Sequence, residues 1–169
     1  MKIAHTAEYL DHLCTLPVSS IGRASDMLWI GFGDSIPCVN YRGEAVNRPE
    51  MALHVQAPWR IVSGSTVLLA QHDIYQPKDP IERDDSFCWD IGGNNRFDAK
   101  AGNWLADRIP LNPESWEIGP CFDLRITFAN QDRLEIFSLT TDETECWRIL
   151  YPSRDQAHLV CRGNQISKE

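Results

Sequence analysis

No stretch of the chain approaches the ~20 consecutive apolar residues that a membrane-spanning helix needs, so no membrane partner is expected. The first residues meet a charge at Glu8, before an apolar core of signal-peptide length has formed, and the expected location is therefore the cytoplasm. The six cysteines make no C-x-x-C pair and have no histidines at zinc-finger spacing, which excludes a disulfide framework read from spacing and a structural zinc site. H-x-H, H-E-x-x-H, the EF-hand loop, G-x-S-x-G and the G-K-[ST] phosphate loop are missing too, and Gly92-Gly93 is too short to cradle a phosphate. The ligand-type side chains that do occur near one another, His72, Asp73, Asp84, Asp85 and Asp90, follow no metal-binding pattern. No catalytic residue, metal or cofactor is expected. Positive charge is also short, with 16 Lys and Arg against 24 Asp and Glu and a net charge of -8. Nucleic acid is an unsuitable partner for such a chain, because phosphate binding needs a cationic face.

What is present reads as one domain over 1–169, since no linker or internal repeat divides the 169 residues and hydrophobic residues make up 43% of them, enough for a core. Thr6 reads as an N-cap, with Ala7, Tyr9, Leu10, Leu13, Cys14 and Leu16 at helical spacing until Pro17; this predicts a helix over about 7–16. Asp26 to Gly33 reads as a strand ending in a turn, and 34–50 as loop. Leu53 to Ile61 alternates strictly, and with the Ser63-Gly64-Ser65 turn and Val67 to Tyr75 it predicts a β-hairpin. On that parity Val55, Ala57, Trp59 and Ile61 share a face with Leu68, Ala70, His72 and Ile74. Pro58, lacking an amide donor, implies a sheet edge or a bulge. Asn94 or Asn95 caps a second helix, about 95–108, whose apolar face is Phe97, Ala101, Trp104 and Leu105. Strands follow from Phe122 to Phe128, Leu134 to Leu139, Cys146 to Tyr151 and Ala157 to Cys161. The connections are too short for crossover helices, so the class is α+β: a mostly antiparallel meander with two helices packed on the sheet.

Two surfaces stand out. The first is acidic. Asp79 to Asp90 carries Asp79, Glu82, Asp84, Asp85 and Asp90 against Arg83, and Asp132 to Glu145 carries Asp132, Glu135, Asp142, Glu143 and Glu145 against Arg133. With Trp116, which lies between Pro113 and Pro120, these stretches read as a docking face for a basic protein, with Asp79, Glu82, Asp84, Asp85, Trp116, Glu143 and Glu145 as its binding residues. The second is the polar face of the predicted hairpin, where His54, Gln56 and Arg60 point the same way beside Asp73 and Tyr75. A histidine near a carboxylate is a minimal acid–base pair, and this face is the alternative pocket, of a small enzyme or ligand-binding domain.

The runs LHVQAPWRIV, Gly64, His72-Asp73, LRITFANQDRLEIFSL and ECWRILYP, covering about 51–75 and 122–162, resemble small bacterial domains, some of them similar to immunity proteins of toxin–immunity cassettes. That resemblance implies a bacterial cytoplasmic protein that neutralises a toxin domain by occluding it, and it brings no catalytic residues. It says nothing of oligomeric state.

Overall fold

The computed structural model describes residues 3–79 and 86–169. The predicted α+β class is what it adopts, as two antiparallel sheets and two helices around one core. In chain order the elements are α1 (Ile3–Leu13), β1 (Val18–Ala24), β2 (Met27–Val39), β3 (Ala45–Val55), β4 (Trp59–Ser63), β5 (Thr66–Ala70), a 3₁₀ turn (Gln71–Tyr75), α2 (Arg96–Ala106), β6 (Pro113–Ile118), β7 (Leu124–Phe128), β8 (Asp132–Ile136), β9 (Glu145–Leu150), β10 (Leu159–Arg162) and β11 (Gln165–Lys168). One sheet runs β1-β2-β3-β9-β10-β11 and the other β5-β4-β8-β7-β6.

The run Leu53 to Ile61 is not one strand. At its middle the Gln56 and Ala57 amides both donate to the Cys146 carbonyl (2.9 and 3.0 Å), and the Pro58 carbonyl accepts from the Phe137 amide (2.9 Å). The chain thus leaves the first sheet after Val55 and enters the second at Trp59, with Pro58, which has no amide to offer a ladder, at the crossing. Alternation survives because both sheets face the same core: Val55, Ala57, Trp59 and Ile61 are all buried.

The hairpin itself departs from expectation. Ser63 pairs with Thr66 and Val62 with Val67, but a bulge between Ile61 and Val62 sets Ile61 opposite Leu69. The extra residue reverses the parity beyond it, so Leu69 is the buried side chain in place of Leu68, and His72 is exposed in the 3₁₀ turn. Ile74 remains in the core.

The first helix starts earlier than predicted and ends at Leu13, and Thr6 is buried inside it instead of capping it. Asn95 caps α2 through Oδ1, which accepts from the Asp98 amide at 2.8 Å, and the four predicted apolar positions are the buried ones. α2 packs on β1 and β5, and α1 on β10 and β6, so each helix bridges both sheets and closes one side of the core. Trp59 meets Phe97 edge-on at 5.7 Å, and Trp104 meets Phe128 at 6.0 Å, fastening α2 to the second sheet. Arg23 of β1 fastens it to the first by a two-pronged pair with Asp98 (2.8 and 2.9 Å).

Residues 34–50, read as loop, instead extend β2 and β3. Their ladder continues from Ser35↔Pro49 to Val39↔Ala45, whereas β1 stops pairing at Phe32 and β9 at Ala52. The result is a two-stranded arm with no neighbouring strand on either side among the described residues.

The core placement of two tryptophans carries a test. Replacing Trp59 or Trp147 by Ala should destabilise the fold by about 3–5 kcal/mol in urea unfolding. The Phe variants should differ. Trp147 Nε1 donates to the Phe122 carbonyl (3.4 Å), whereas Trp59 Nε1 is buried without an acceptor among the described residues, so Trp59→Phe should cost less than Trp147→Phe.

Candidate functional site

The outer face of the first sheet, which neither helix covers, holds a concave groove of about 560 Å³. It follows from the register. Gly22, Trp29, His54 and Arg148 lie in one row across β1, β2, β3 and β9, and Ser20, Gly31, Ala52 and Leu150 in the next. The second row is made of small residues up to Leu150, which leaves a depression in the sheet surface. The glycines are required by close approach: a Cβ on Gly22 would stand 2.3 Å from Cζ2 of Trp29, and one on Gly31 2.4 Å from Oγ of Ser20. Gly22 therefore lets the indole lie down across β1. Met27, Pro49 and Pro152 complete the apolar wall, and Asn47 and Arg48, at the base of the arm, form the polar rim.

His54 is half-buried beside this groove, and its imidazole has no hydrogen bond among the described residues. Burial first, and then the neighbouring Arg148 guanidinium, hold its pKa below the ordinary 6.5. Next to it, His158 Nδ1 lies 2.9 Å from Arg148 Nη1. A guanidinium only donates, so Nδ1 accepts and this imidazole is neutral with its proton on Nε2. Its pKa is lowered as well, by burial and Arg148, against Glu145 and Glu169. Arg148 is clamped by Glu145, which also takes Gln56 (3.2 Å) and Arg162 (3.8 Å).

The alternative pocket does not assemble. His54 and Gln56 belong to the first sheet and its exit, whereas Arg60 sits in β4 and donates to Glu135 at 2.6 Å on the second. Asp73 accepts from the Ala70 amide (3.0 Å) and pairs with Arg96 (3.4 Å), closing the 3₁₀ turn onto α2. Tyr75 packs edge-on against Trp89 and donates to Asp26 (2.9 Å). The crossing at Pro58 separates side chains that a single continuous strand would have aligned.

The acidic stretches look different once their partners are seen. Glu82, Asp84 and Asp85 lie outside the described residues. In the second stretch Asp132 is 2% exposed and takes Arg108 (2.6 Å) and Trp104 Nε1 (3.3 Å). Glu135 collects Arg60, Arg125 and Arg133. Glu145 is the internal clamp of Arg148. Only Asp142 and Glu143 of the five face solvent, and Asp142 is held to about pKa 2 by the Thr140 and Thr144 hydroxyls and the Thr144 amide. Trp116, on strand β6 where sequence spacing showed only a proline-bounded segment, is half-buried with Nε1 on Asp11 Oδ1 (2.8 Å). Asp79 is half-buried.

Burial pushes the Cys161 thiol up to about 12 and Cys14 to about 11, so neither is poised as a nucleophile. The signal for the groove was in the sequence, in the small and aromatic outward positions Gly22, Trp29, Gly31 and Ala52, but they show no pattern until the register is known. No family model matches the chain, and no curated protein or solved structure matches it.

The two histidines predict a pH response. Both favour the neutral form when folded, so between pH 6.5 and their lower folded values the unfolded chain binds more protons. Stability should fall as acid carries the solution down through that window. For Asp98, Asp132 and Glu145 burial is outweighed by hydrogen bonds from Arg23, from Ser63 and Arg108, and from Arg148, so their pKa values are lowered in the fold and their contribution is lost only further down, below the ordinary carboxylate range. Thermal melts of wild type and His54→Gln/His158→Gln should therefore diverge below pH 6.5, with the variant losing less. Identical slopes would mean that neither ring is held neutral.

Proposed function

We propose that the protein works by binding and occluding a basic partner protein, and that the β2–β3 arm is the element that engages it. The observation that carries this reading is the arm tip. Val39 is 70% and Tyr41 89% exposed at the end of a ribbon that no other strand among the described residues supports. Exposed aromatic and branched side chains projecting together are costly in water and characteristic of binding surfaces. The tip is preorganised. Asn40 Oδ1 accepts from the Arg42 and Glu44 amides (2.9 and 3.0 Å), its Nδ2 donates to Glu44 (2.8 Å), and Gly43 takes φ 79°. Arg42 lies over the Tyr41 ring at 5.2 Å, so the phenol is held outward. An aromatic anchor on a hydrogen-bonded turn leaves less backbone to be ordered on docking. Pro37 and Pro49, one on each strand, remove amide donors from the open edges and disfavour pairing between copies.

The net charge of -8 favours a cationic partner and would speed its approach. Occlusion agrees with the resemblance to immunity proteins, and the bacterial cytoplasmic setting belongs to the same proposal. Of the docking residues expected from the sequence, Glu143 keeps that role in this reading, whereas Glu145 and Trp116 serve the fold.

The test compares wild type and Val39→Ser/Tyr41→Ser as baits in the native host, with retained proteins quantified by mass spectrometry. The two baits should melt at the same temperature, because both side chains are exposed. A protein of basic isoelectric point, held by wild type and weakened by salt, should be depleted at least tenfold on the variant, a loss of about 1.4 kcal/mol. Equal recovery on both baits would remove the arm from the interface, and a partner of acidic isoelectric point would overturn the charge argument.

A further inference from the structure

The groove on the outer face of the first sheet is separate from the arm tip and has its own chemistry. Its charged lining residue is Arg48. Among the described residues Arg48 makes no ion pair, whereas Arg60, Arg125, Arg133, Arg148 and Arg162 on the strands each have a carboxylate partner. In a chain with 24 acidic residues and 16 basic ones, Arg42 at the arm tip and Arg48 are the two described arginines without a carboxylate partner, and Arg48 is the one of the two that lines this groove. Below it the wall is apolar, formed by Trp29, Leu150 and Pro152, with Ala52 as floor at 4% exposure. At the far end the His54 ring offers hydrogen-bonding nitrogens that no described residue uses.

We infer that this groove is a binding site for a small organic carboxylate with an aromatic or aliphatic body. Each part of such a molecule has a counterpart. The planar Arg48 fork matches a carboxylate with two parallel hydrogen bonds. The apolar body covers Trp29 and Leu150 and removes their surface from water. His54 adds a polar contact for a ligand whose body carries a hydrogen-bond donor, as the indole of indole-3-acetate does. The volume of about 560 Å³ suits a molecule of this size, since small-molecule sites run from roughly 300 to 1,000 Å³. Phosphates are less apt occupants: they are strongly hydrated on all sides, and beyond the single guanidinium the lining offers mostly apolar surface. A cationic ligand would meet Arg48 and has no acidic lining residue to pair with.

The test uses benzoate, 3-phenylpropanoate, indole-3-acetate and octanoate, each beside its primary amide, titrated into the full chain and followed by ¹H–¹⁵N spectra. The Trp29 indole N–H signal, assigned by its disappearance in Trp29→Phe, is the reporter. At least one acid of the set should shift it saturably at millimolar concentration, and its amide should bind about tenfold more weakly or not at all. Arg48→Gln, a change at an exposed position that should leave the melting temperature unaltered, should abolish the preference of acid over amide, while Arg48→Lys should keep part of it.

Three results would overturn the proposal. One is no shift of the Trp29 signal by any acid. The second is equal binding of acids and amides. The third is binding confined to an acetylated Phe-Glu-Phe amide with none to the free acids, which would make the groove a docking point for an acidic protein segment. Loss of the arm partner in the bait experiment leaves this outcome untouched, because Val39 and Tyr41 do not line the groove.

Discussion

The crossing at Gln56–Pro58 is the constraint on which the arrangement of the molecule depends. A period-two run of nine residues would span one strand if every amide could pair in one ladder. Here two successive amides converge on the Cys146 carbonyl and the third residue has none, so the ladder of the first sheet ends. The chain turns into the second sheet with its inward parity intact, and Trp59 enters the core opposite the side from which Val55 and Trp147 enter it. The same event sends the outward residues apart. His54 goes to the outer face of one sheet and Arg60 to the other, which is why one polar stripe in the sequence becomes two unrelated environments in space.

Electrostatics follow from that division. On the second sheet Glu135 sits among three arginines, while Asp132, in register with the buried Leu134 and Ile136, closes Arg108 against Trp104. Carboxylates in these positions hold β8 to its neighbours and to α2, and they are spent on the fold. Counting acidic residues along the chain overstated the charge available to a partner, because a linear count does not know which carboxylates face an arginine across a strand. The first sheet is different. Its outer face carries the clamp of Glu145 on Arg148, and beyond it an apolar depression whose rim arginine has no carboxylate partner among the described residues.

Legibility in the sequence followed solvation. Where one face is buried and the other wet, as from Leu53 to Ile61, Leu124 to Phe128 and along α2, the period was plain and the core residues were read correctly. Where both faces are wet the period vanishes. Residues 34–50 form the outer half of the β2–β3 ladder, yet their side chains alternate between solvent and solvent, so the ribbon reads as loop. β6 was hidden by its bounding prolines, and the bulge at Ile61/Val62 defeated the hairpin parity because one inserted residue leaves no mark in composition. The candidate site was less legible than the fold. Glycine in β1 and β2 reads as turn punctuation, and only the register reveals that Gly22 and Gly31 accommodate Trp29, Ser20 and Pro49 across the sheet.

β3 ties these features together. Its first half, Ala45 to Pro49, is one side of the arm and the rim of the groove, and its second half supplies Met51, Leu53 and Val55 to the core while Ala52 and His54 floor the groove. A strand anchored this deeply by every second residue cannot slide, since a one-residue shift would carry three buried side chains into water and two outward ones into the core. The arm therefore projects from a fixed base in a fixed orientation, although no strand supports it along its own length. Residues beyond Ser35 and Pro49 contribute little to the core, whereas those below are held by packing and determine where the arm points.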